Sequence, residues 1–298
     1  MSRPESTAFK PLRSVLYMPS SNERALEKAK TLPADAIIFD LEDAVAPDAK
    51  VAARASAAAA VQSGEYGRRH LVIRVNGIGT EWHDDDIRAA AAAGPDVVLV
   101  PKVNSAEEVH QLVAALDAAG APAKTTLWAM VETPIGMLNA LAIAQASDRL
   151  TGFVMGTNDL VKELYAEHVP GRRPVITGLG LALLAARAAG IVIIDGVYND
   201  VKNIDGFLAE IEQGRQMGFD GKTLIHPGQV EGANAGFAPS EQAVEDARGL
   251  IQAWEDGRSA LGGATGVVTY NGKMVESLHV ESAERTLAIH EAIQTLQS

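Results

Sequence analysis

The chain has 298 residues, 47% of them hydrophobic, so it is long enough for one large domain with an appendage. Its formal net charge of −12 argues against nucleic acids and anionic membranes as partners. The absence of cysteine excludes a disulfide framework, a thiol nucleophile and a zinc site with cysteine ligands.

The amino terminus and the hydropathy pattern indicate neither export nor membrane insertion. The first ten residues are largely polar and charged and lack the apolar segment that a signal peptide needs. No apolar run reaches the length of a transmembrane helix. We therefore expect a cytoplasmic protein without a membrane partner.

Apolar runs alternate with helix-forming segments along most of the chain. The predicted strands are mostly continuous apolar runs, as expected when both faces of a parallel sheet are buried. They comprise residues 13–18, 36–43, 71–77, 96–100, 127–132, 150–156, 191–195 and 221–227. The clearest helices between them comprise residues 22–30, 48–62, 81–93, 105–119, 178–189 and 205–217. Eight alternations within about 230 residues predict a (β/α)₈ TIM barrel.

The alternation stops near Pro239. Residues 240–256 and 276–296 are predicted helices, and the glycine-rich segment between them contains a small strand or hairpin near residues 267–270. We therefore predict two domains, a catalytic TIM barrel over residues 1–238 and a C-terminal helical extension over residues 239–298. The extension is expected to serve in oligomerisation or as a lid on the active site.

Charged residues follow the predicted strands, where the functional residues of such barrels cluster. They are Asp40, Glu42, Asp43, Arg74, Lys102, Glu132, Asp159, Asp195 and His226. Glu132 and Asp159 are about one βα unit apart, and each lies between a strand end and a helix start. Two carboxylates on neighbouring strands suit Mg²⁺, which prefers oxygen ligands. Either residue alone would equally fit a helix-terminal charge or a solvated loop residue.

Most of the remaining charged residues allow two interpretations. Glu42 and Asp43 could hold metal-bound water, or form a charged, capped loop. Arg74 ends an apolar strand, and a buried guanidinium requires an anion. It could pair with the neighbouring acids or bind a substrate carboxylate or carbonyl, and we favour the substrate because the site otherwise carries excess negative charge. His226 is expected to position backbone or pack. Arg13 could bind phosphate, although solvated surface charge is the commoner explanation.

Several short motifs together resemble the HpcH/HpaI aldolase/citrate lyase superfamily, in its citrate lyase β-subunit-like, malyl-CoA lyase branch. The motifs are residues 13–20, 40–45, 74–77, 101–102, 132–134, 156–160 and 225–227. They follow the same order as in that family and cover nearly the whole chain. The set is specific, whereas any single motif would be weak.

The resemblance implies a TIM barrel that is usually trimeric or hexameric. It places Mg²⁺, with Mn²⁺ as an alternative, on Glu132 and Asp159. It implies reversible carbon–carbon cleavage of a β-hydroxyacyl-CoA, such as malyl-, citramalyl- or citryl-CoA, to an acyl-CoA and a 2-oxoacid. The implied substrate-binding residues, including those lining a coenzyme A channel, are Arg13, Pro19, Ser20, Arg74, Lys102, Glu132, Ile225, His226 and Pro227. The predicted catalytic residues are Glu42, Asp43, Arg74 and Glu276.

One motif departs from the family pattern. The family carries Gly-x-Met-Ile-Asp in its tail, and that aspartate is thought to act as an acid/base in a neighbouring subunit. Here residues 272–276 read Gly-Lys-Met-Val-Glu, so the carboxylate is one methylene longer. Glu276 could still shuttle protons, shift substrate choice or favour thioester hydrolysis, since small displacements change rates strongly. It could also be only a helix-start charge.

Two alternatives remain beside the CoA-ester enzyme. One is a class II-type aldolase that acts on free 2-oxo acids without CoA. The other is a non-catalytic or complex-dependent subunit similar to citrate lyase β. A stable homo-oligomer with Mg²⁺-dependent turnover of free CoA esters would separate the CoA-ester enzyme from the complex-dependent subunit.

Overall fold

The computed structural model describes residues 10–260 and 268–297. They form two compact units, which are described separately. The larger unit comprises residues 12–237, and the smaller one comprises the remaining described residues at both ends of the chain. No helix in these described ranges is long and apolar enough to cross a membrane.

The larger unit contains a closed barrel of eight parallel strands, which confirms the predicted fold class. The strands are β1 Ser14–Pro19, β2 Ala36–Asp40, β3 His70–Arg74, β4 Val97–Val100, β5 Thr126–Val131, β6 Leu150–Met155, β7 Val192–Asp195 and β8 Gly221–Leu224. Each strand pairs with its neighbours in sequence, and β1 pairs with β8 to close the barrel. Closure leaves no strand edge exposed.

Helices cover the outside of the barrel. They are α1 Glu23–Ala29, α2 Lys50–Gln62, α3 His83–Ala93, α4 Ala106–Ala118, α5 Pro134–Leu138, α6 Ala140–Gln145, α7 Thr157–Glu163, α8 Ile176–Ala189, α9 Ile204–Met217 and α10 Val230–Phe237. Polar side chains begin several of them, as at Asn22, Ser105 and Thr133, whose oxygens accept a backbone N–H of the first turn. Pro134 follows such a cap, where its missing N–H costs nothing.

Strand residues alternate between two apolar layers. Leu16 and Phe39 pack against the helices, whereas Val15 and Ile38, their neighbours in sequence, point into the barrel. This alternation follows from the two-residue period of a strand, and it explains why the strands read as continuous apolar runs. The inner layer fills the barrel, so the surface available for chemistry lies at its ends.

The smaller unit contains α11 Glu241–Ala260, an antiparallel hairpin of β9 Val268–Tyr270 and β10 Lys273–Val275, and α12 Ser277–Gln297. Its own apolar cluster includes Val268, Val275 and Val280. A Cβ at Gly257 would lie 2.5 Å from Val268 Cγ2, so this glycine lets the hairpin approach α11. The hairpin agrees with the predicted strand near residues 267–270, of which residue 267 lies outside the described residues.

Candidate active site at the carboxyl ends of the strands

The register of the first three strands brings polar groups together. Pro19 of β1 is paired with Asp40 of β2, and Asp40 is paired with Arg74 of β3. Because parallel strands run the same way, their last residues meet at one end of the barrel. This end carries the candidate site.

Arg74 is held by the acids that follow β2. Its Nε and Nη2 donate to Asp40 Oδ1 and Oδ2 at 2.6 and 2.7 Å, and its Nη1 lies 2.6 Å from Glu42 Oε2. Asp43 lies further away, at 3.7 Å, and is largely exposed. Burial alone would lower the pKa of Arg74, but the acids, Asp40 above all, raise it well above its ordinary value. The sequence left open whether Arg74 pairs with the neighbouring acids, and the structure shows that it does. Substrate contact by Arg74 stays a prediction.

Glu42 is a carboxyl with an unusual pKa. Its side chain is mostly buried next to Arg74. Burial raises its pKa most, Arg74 opposes this, and Asp43 and Asp40 add to the rise, so that the pKa reaches about 7. A group with such a pKa exists in both protonation states near neutral pH, as acid–base chemistry requires.

Glu132 follows β5 and is 2% exposed. Its Oε1 accepts the backbone N–H of Lys102 at 2.8 Å. Burial raises the pKa of Glu132 most, and the carboxylates of Asp159 and Glu42 raise it further, to about 8. A buried carboxyl beside other carboxyls is unfavourable when ionised, and a nearby cation relieves that cost.

Asp159 lies in the first turn of α7, close to Lys102. Lys102 Nζ lies 3.4 Å from Asp159 Oδ1. Burial lowers the pKa of Lys102, but Asp159 and then Glu132 outweigh that effect and raise it. Lys102 therefore contacts both predicted metal ligands, one through its backbone and one through its side chain.

The donors at this end of the barrel fit Mg²⁺. Glu132 and Asp159 supply carboxylate oxygens, and the charge of Asp159 raises the pKa of Glu132. Within residues 10–260 and 268–297, no group of three or more His, Cys, Asp or Glu side chains could hold a metal. Mg²⁺ does not need one, because it usually takes one or two carboxylates and completes its shell with water and substrate oxygens.

The loops after β1 and β8 contain the other predicted substrate-binding residues. Ser20 follows Pro19, is fully buried, and its Oγ has no hydrogen-bond partner among the described residues. His226 Nδ1 accepts the N–H of Gly228 at 3.0 Å. The side chain of His226 thus orders the turn between Ile225 and α10, which is the backbone-positioning role expected from the sequence.

Arg13, another predicted substrate-binding residue, has an acidic partner within the protein. It precedes β1 and therefore lies at the amino end of the barrel, away from the candidate site. Its Nε and Nη2 donate to Asp35 Oδ2 and Oδ1 at 2.8 and 2.7 Å, and both side chains are buried. This ion pair accounts for the burial of Arg13 without a ligand, and substrate contact by Arg13 stays a prediction.

Glu276 belongs to the smaller unit and immediately precedes α12. Its backbone N–H donates to His279 Nδ1 at 2.9 Å, and the residue is exposed. These contacts fit a residue at a helix start. They neither use nor block its carboxylate, so its acid/base role stays a prediction.

A buried charge network above β7 did not emerge as a site from the sequence. Arg172 Nη1 donates to both oxygens of Asp195, at 2.6 and 2.8 Å. Lys222 Nζ lies 3.2 Å from Asp195 Oδ2 and 2.7 Å from Glu210 Oε1. Lys222 is fully buried in the middle of β8, and a lysine there is the sequence signal that could have indicated an acidic partner.

The network borders a cavity of about 650 Å³ in the larger unit. The loops after β6 and β7 and the first half of α9 form its walls, with Val161, Arg172, Tyr198 and Glu210 among the lining residues. Glu132, Asp159 and Arg74 do not line it. This cavity is therefore separate from the carboxylates that fit a metal.

A parallel eight-stranded barrel that gathers carboxylates and a buried arginine at the carboxyl ends of its strands has the architecture of the TIM-barrel enzymes. Residues 13–227 match the family model described as HpcH/HpaI aldolase/citrate lyase. The chain belongs to this family, as its motifs predicted.

Relatives of known name cover almost the whole chain. It is 55% identical over 283 residues to a (3S)-malyl-CoA thioesterase of Cereibacter sphaeroides, covering 95% of this chain and 96% of the relative. It is 37% identical over 281 residues to the citrate lyase subunit beta of Escherichia coli, covering 93% and 92% of the two chains. Both relatives are named as enzymes or enzyme subunits.

Solved structures include close matches to the fold. The structure of CitE from Mycobacterium tuberculosis in complex with magnesium, acetoacetate and coenzyme A has a TM-score of 0.73 and 28% sequence identity to this chain. The match covers 94% of this chain and 98% of CitE. The similarity thus extends beyond the barrel to most of the C-terminal unit.

Proposed function

We propose that this protein is a Mg²⁺-dependent enzyme that acts on a CoA thioester of the malyl-CoA type. Its main activity under this proposal is hydrolysis of the thioester to a free hydroxydicarboxylate and CoA. The identity of 55% to a malyl-CoA thioesterase favours this substrate class. The single structural observation that carries the proposal is the position of Glu132 and Asp159, which both contact Lys102. Their carboxylates provide a site for a cation within electrostatic reach of Arg74.

The metal would be held by Glu132 and Asp159. When bound, Mg²⁺ supplies a Lewis acid that polarises substrate oxygens and orients the substrate. Glu132 is fixed by the N–H of Lys102 and by its close packing on Gly156, so one carboxylate is positioned before any ligand arrives. Fixed ligands cost less to organise when the cation binds.

Arg74 would stabilise the negative charge that develops on the substrate oxygen. Its guanidinium is kept in place by two hydrogen bonds to Asp40 and is buried, where electrostatic interactions are stronger than in water. The fork–fork pairing fixes the plane of the guanidinium as well as its position. Substrate contact would use the Nη1 side, which faces Glu42.

A proton must also move during the reaction. Glu42, with a pKa of about 7, is able to hold and release one at neutral pH, and Asp43 lies beside it. Glu276 of the C-terminal unit is a second candidate, since its carboxylate stands where the family has an aspartate. In hydrolysis, water attacks the thioester carbonyl, the carbon–sulfur bond breaks, and the leaving thiolate takes up a proton.

Reversible carbon–carbon cleavage is the second candidate function. The relationship to citrate lyase subunit beta and the CitE complex with magnesium, acetoacetate and coenzyme A favours it. The same residues would then stabilise the enolate of the acyl-CoA product. As part of the proposal, Mn²⁺ substitutes for Mg²⁺, and the protein works in the cytoplasm as a homotrimer or homohexamer. The C-terminal extension would serve its assembly or cover its site.

The test is product analysis by mass spectrometry after incubating the full-length protein with Mg²⁺ and malyl-CoA. Free malate and CoA without glyoxylate establish hydrolysis, whereas acetyl-CoA and glyoxylate establish cleavage. Glu132→Gln and Arg74→Met should abolish either reaction, and Glu163→Gln, an exposed carboxylate on α7, should not. Absence of any reaction with CoA esters, together with condensation of pyruvate and an aldehyde, would replace the proposal with the aldolase alternative.

A further inference from the structure

Lys102 is the one residue of the site that contacts both candidate metal ligands among the described residues. Its backbone N–H donates to Glu132 Oε1 at 2.8 Å, and its Nζ lies 3.4 Å from Asp159 Oδ1. An ammonium is therefore placed beside the same carboxylates that fit a divalent cation. The two kinds of contact have different consequences for a metal.

The backbone of Lys102 is fixed and unusual. Its φ is +53°, in the left-handed region that residues other than glycine seldom adopt. Its carbonyl oxygen accepts Asn104 Nδ2 at 2.8 Å, and the next N–H, that of Val103, donates to Met130 O at 3.2 Å. This conformation aims the N–H of Lys102 at Glu132. The backbone contact thus supports a ligand whether or not a metal is bound.

The side chain of Lys102 is less constrained. It is 45% exposed, and its ammonium is carried on a flexible stem of four methylenes. A contact of 3.4 Å with one oxygen is long for a charge-assisted hydrogen bond, so it is easily exchanged for another partner. The ammonium can leave Asp159 without disturbing the backbone.

We infer that the Lys102 ammonium takes the place of the metal's charge in the metal-free protein and is displaced from Asp159 when Mg²⁺ binds. The inference rests on the metal site of the proposed function. A divalent cation and an ammonium repel each other at contact distance and compete for the same carboxylate. Lys102 therefore stabilises the metal-free site and lowers its affinity for Mg²⁺.

The test compares Lys102→Met with wild type by titration calorimetry of Mg²⁺ into the metal-free, full-length protein at pH 8. Methionine keeps a side chain of similar length and the backbone N–H to Glu132 but lacks the charge. We expect Lys102→Met to bind Mg²⁺ at least tenfold more tightly and to melt at a lower temperature than wild type in EDTA. Lys162→Met removes an exposed lysine from the helix that carries Asp159, and its affinity should stay within twofold of wild type.

An unchanged or weaker affinity of Lys102→Met would overturn the inference. If that variant does not fold, Lys102→Asn provides the same comparison, because asparagine tolerates a positive φ and carries no charge. Failure of the wild-type protein to bind Mg²⁺ would overturn both the inference and the metal site of the proposed function. Tighter binding by the variant, in a protein that turns over no CoA ester, would support the inference while the proposed activity alone fails.

Discussion

Glu132 packs so closely against Gly156 that a Cβ at residue 156 would lie 2.0 Å from Glu132 Oε2 and 2.3 Å from Glu132 Cβ. The two residues follow the neighbouring strands β5 and β6. Gly156 has a φ of −96°, which other residues adopt readily, so its backbone does not require glycine. Glycine is needed at residue 156 because any side chain there would push the carboxylate of Glu132 out of its position.

Gly156→Ala should weaken the metal site and the fold together. We expect Mg²⁺ affinity to fall at least tenfold and the free energy of unfolding to fall by about 1–3 kcal/mol, the usual cost of overpacking. Calorimetry and urea denaturation measure the two effects. Gly180→Ala is the matched control. Gly180 lies within α8, and apart from the backbone of its own helix no atom lies within 4 Å of its Cβ position, so alanine should stabilise by about 0.5–1 kcal/mol. Unchanged Mg²⁺ affinity in Gly156→Ala would separate Glu132 from the metal.

The affinity for Mg²⁺ should depend steeply on pH. The pKa of Glu132 in the metal-free protein is raised to about 8, mainly by burial. Binding of a cation must release that proton. The affinity for Mg²⁺ should therefore increase about tenfold with each unit that the pH rises towards 8, and level off above pH 8. Calorimetry between pH 6 and pH 9 measures this slope. In Glu132→Gln, Mg²⁺ binding should be weak at every pH. A wild-type affinity that does not depend on pH would contradict the raised pKa of Glu132.

The same group links pH to the stability of the metal-free protein. Its folded pKa lies above its ordinary value of 4.5, so the folded state retains a proton that the unfolded state releases. The contribution of Glu132 to the stability of the folded state is therefore greatest below about pH 4.5, and it is lost as the pH rises towards 8. Melting temperatures in EDTA should fall over this range more steeply for wild type than for Glu132→Gln. Glu42 contributes in the same direction in both proteins.

The sequence predicted the barrel because its strands are buried on both faces and so appear as apolar runs. It also predicted Glu132 and Asp159 as neighbours, since spacing along the chain maps directly onto the order of strands. The contact of Lys102 with Asp159 was not predictable. The position of Lys102 depends on its positive φ, and neither the composition nor the hydrophobic periodicity of the sequence indicates a positive φ at a lysine. The position of Arg13 at the amino end of the barrel was also predictable, because a residue that precedes a strand lies at the opposite end from residues that follow one.

The buried network around Asp195 was missed for a different reason. Arg172 lies in a segment without helical or strand period, and it has a φ of +53°. Its acidic partners Asp195 and Glu210 are far away along the chain. A sequence pattern reports local structure and the faces of elements, whereas an irregular loop is placed by the tertiary contacts that it makes.

Asp195→Asn should destabilise the barrel strongly. It would leave the cations of Arg172 and Lys222 buried with too little negative charge, which typically costs about 3–5 kcal/mol. Urea denaturation measures the loss, and Lys222→Met in the same protein should recover part of it. Asp117→Asn breaks an ion pair whose acidic side chain is 64% exposed, so it should cost no more than about 1 kcal/mol. Equal losses in the two single variants would show that the network contributes little.

Glu276→Asp should change the balance between hydrolysis and cleavage. Glu276 is the second candidate for the group that moves a proton in the reaction. Shortening its side chain withdraws the carboxylate by about an ångström, which is enough to alter rates strongly if it carries the proton. We expect the ratio of free CoA to glyoxylate from malyl-CoA to fall severalfold, because aspartate restores the residue of the family motif.

Stability should not change in Glu276→Asp, since Glu276 is exposed and aspartate is favourable at a helix start. Glu281→Asp, which shortens another exposed carboxylate of α12, is the control and should leave the product ratio unaltered. Product analysis by mass spectrometry measures the ratio of free CoA to glyoxylate in both variants. If both variants give the wild-type ratio, Glu276 acts only as a charge at the start of α12 and the proton carrier is Glu42.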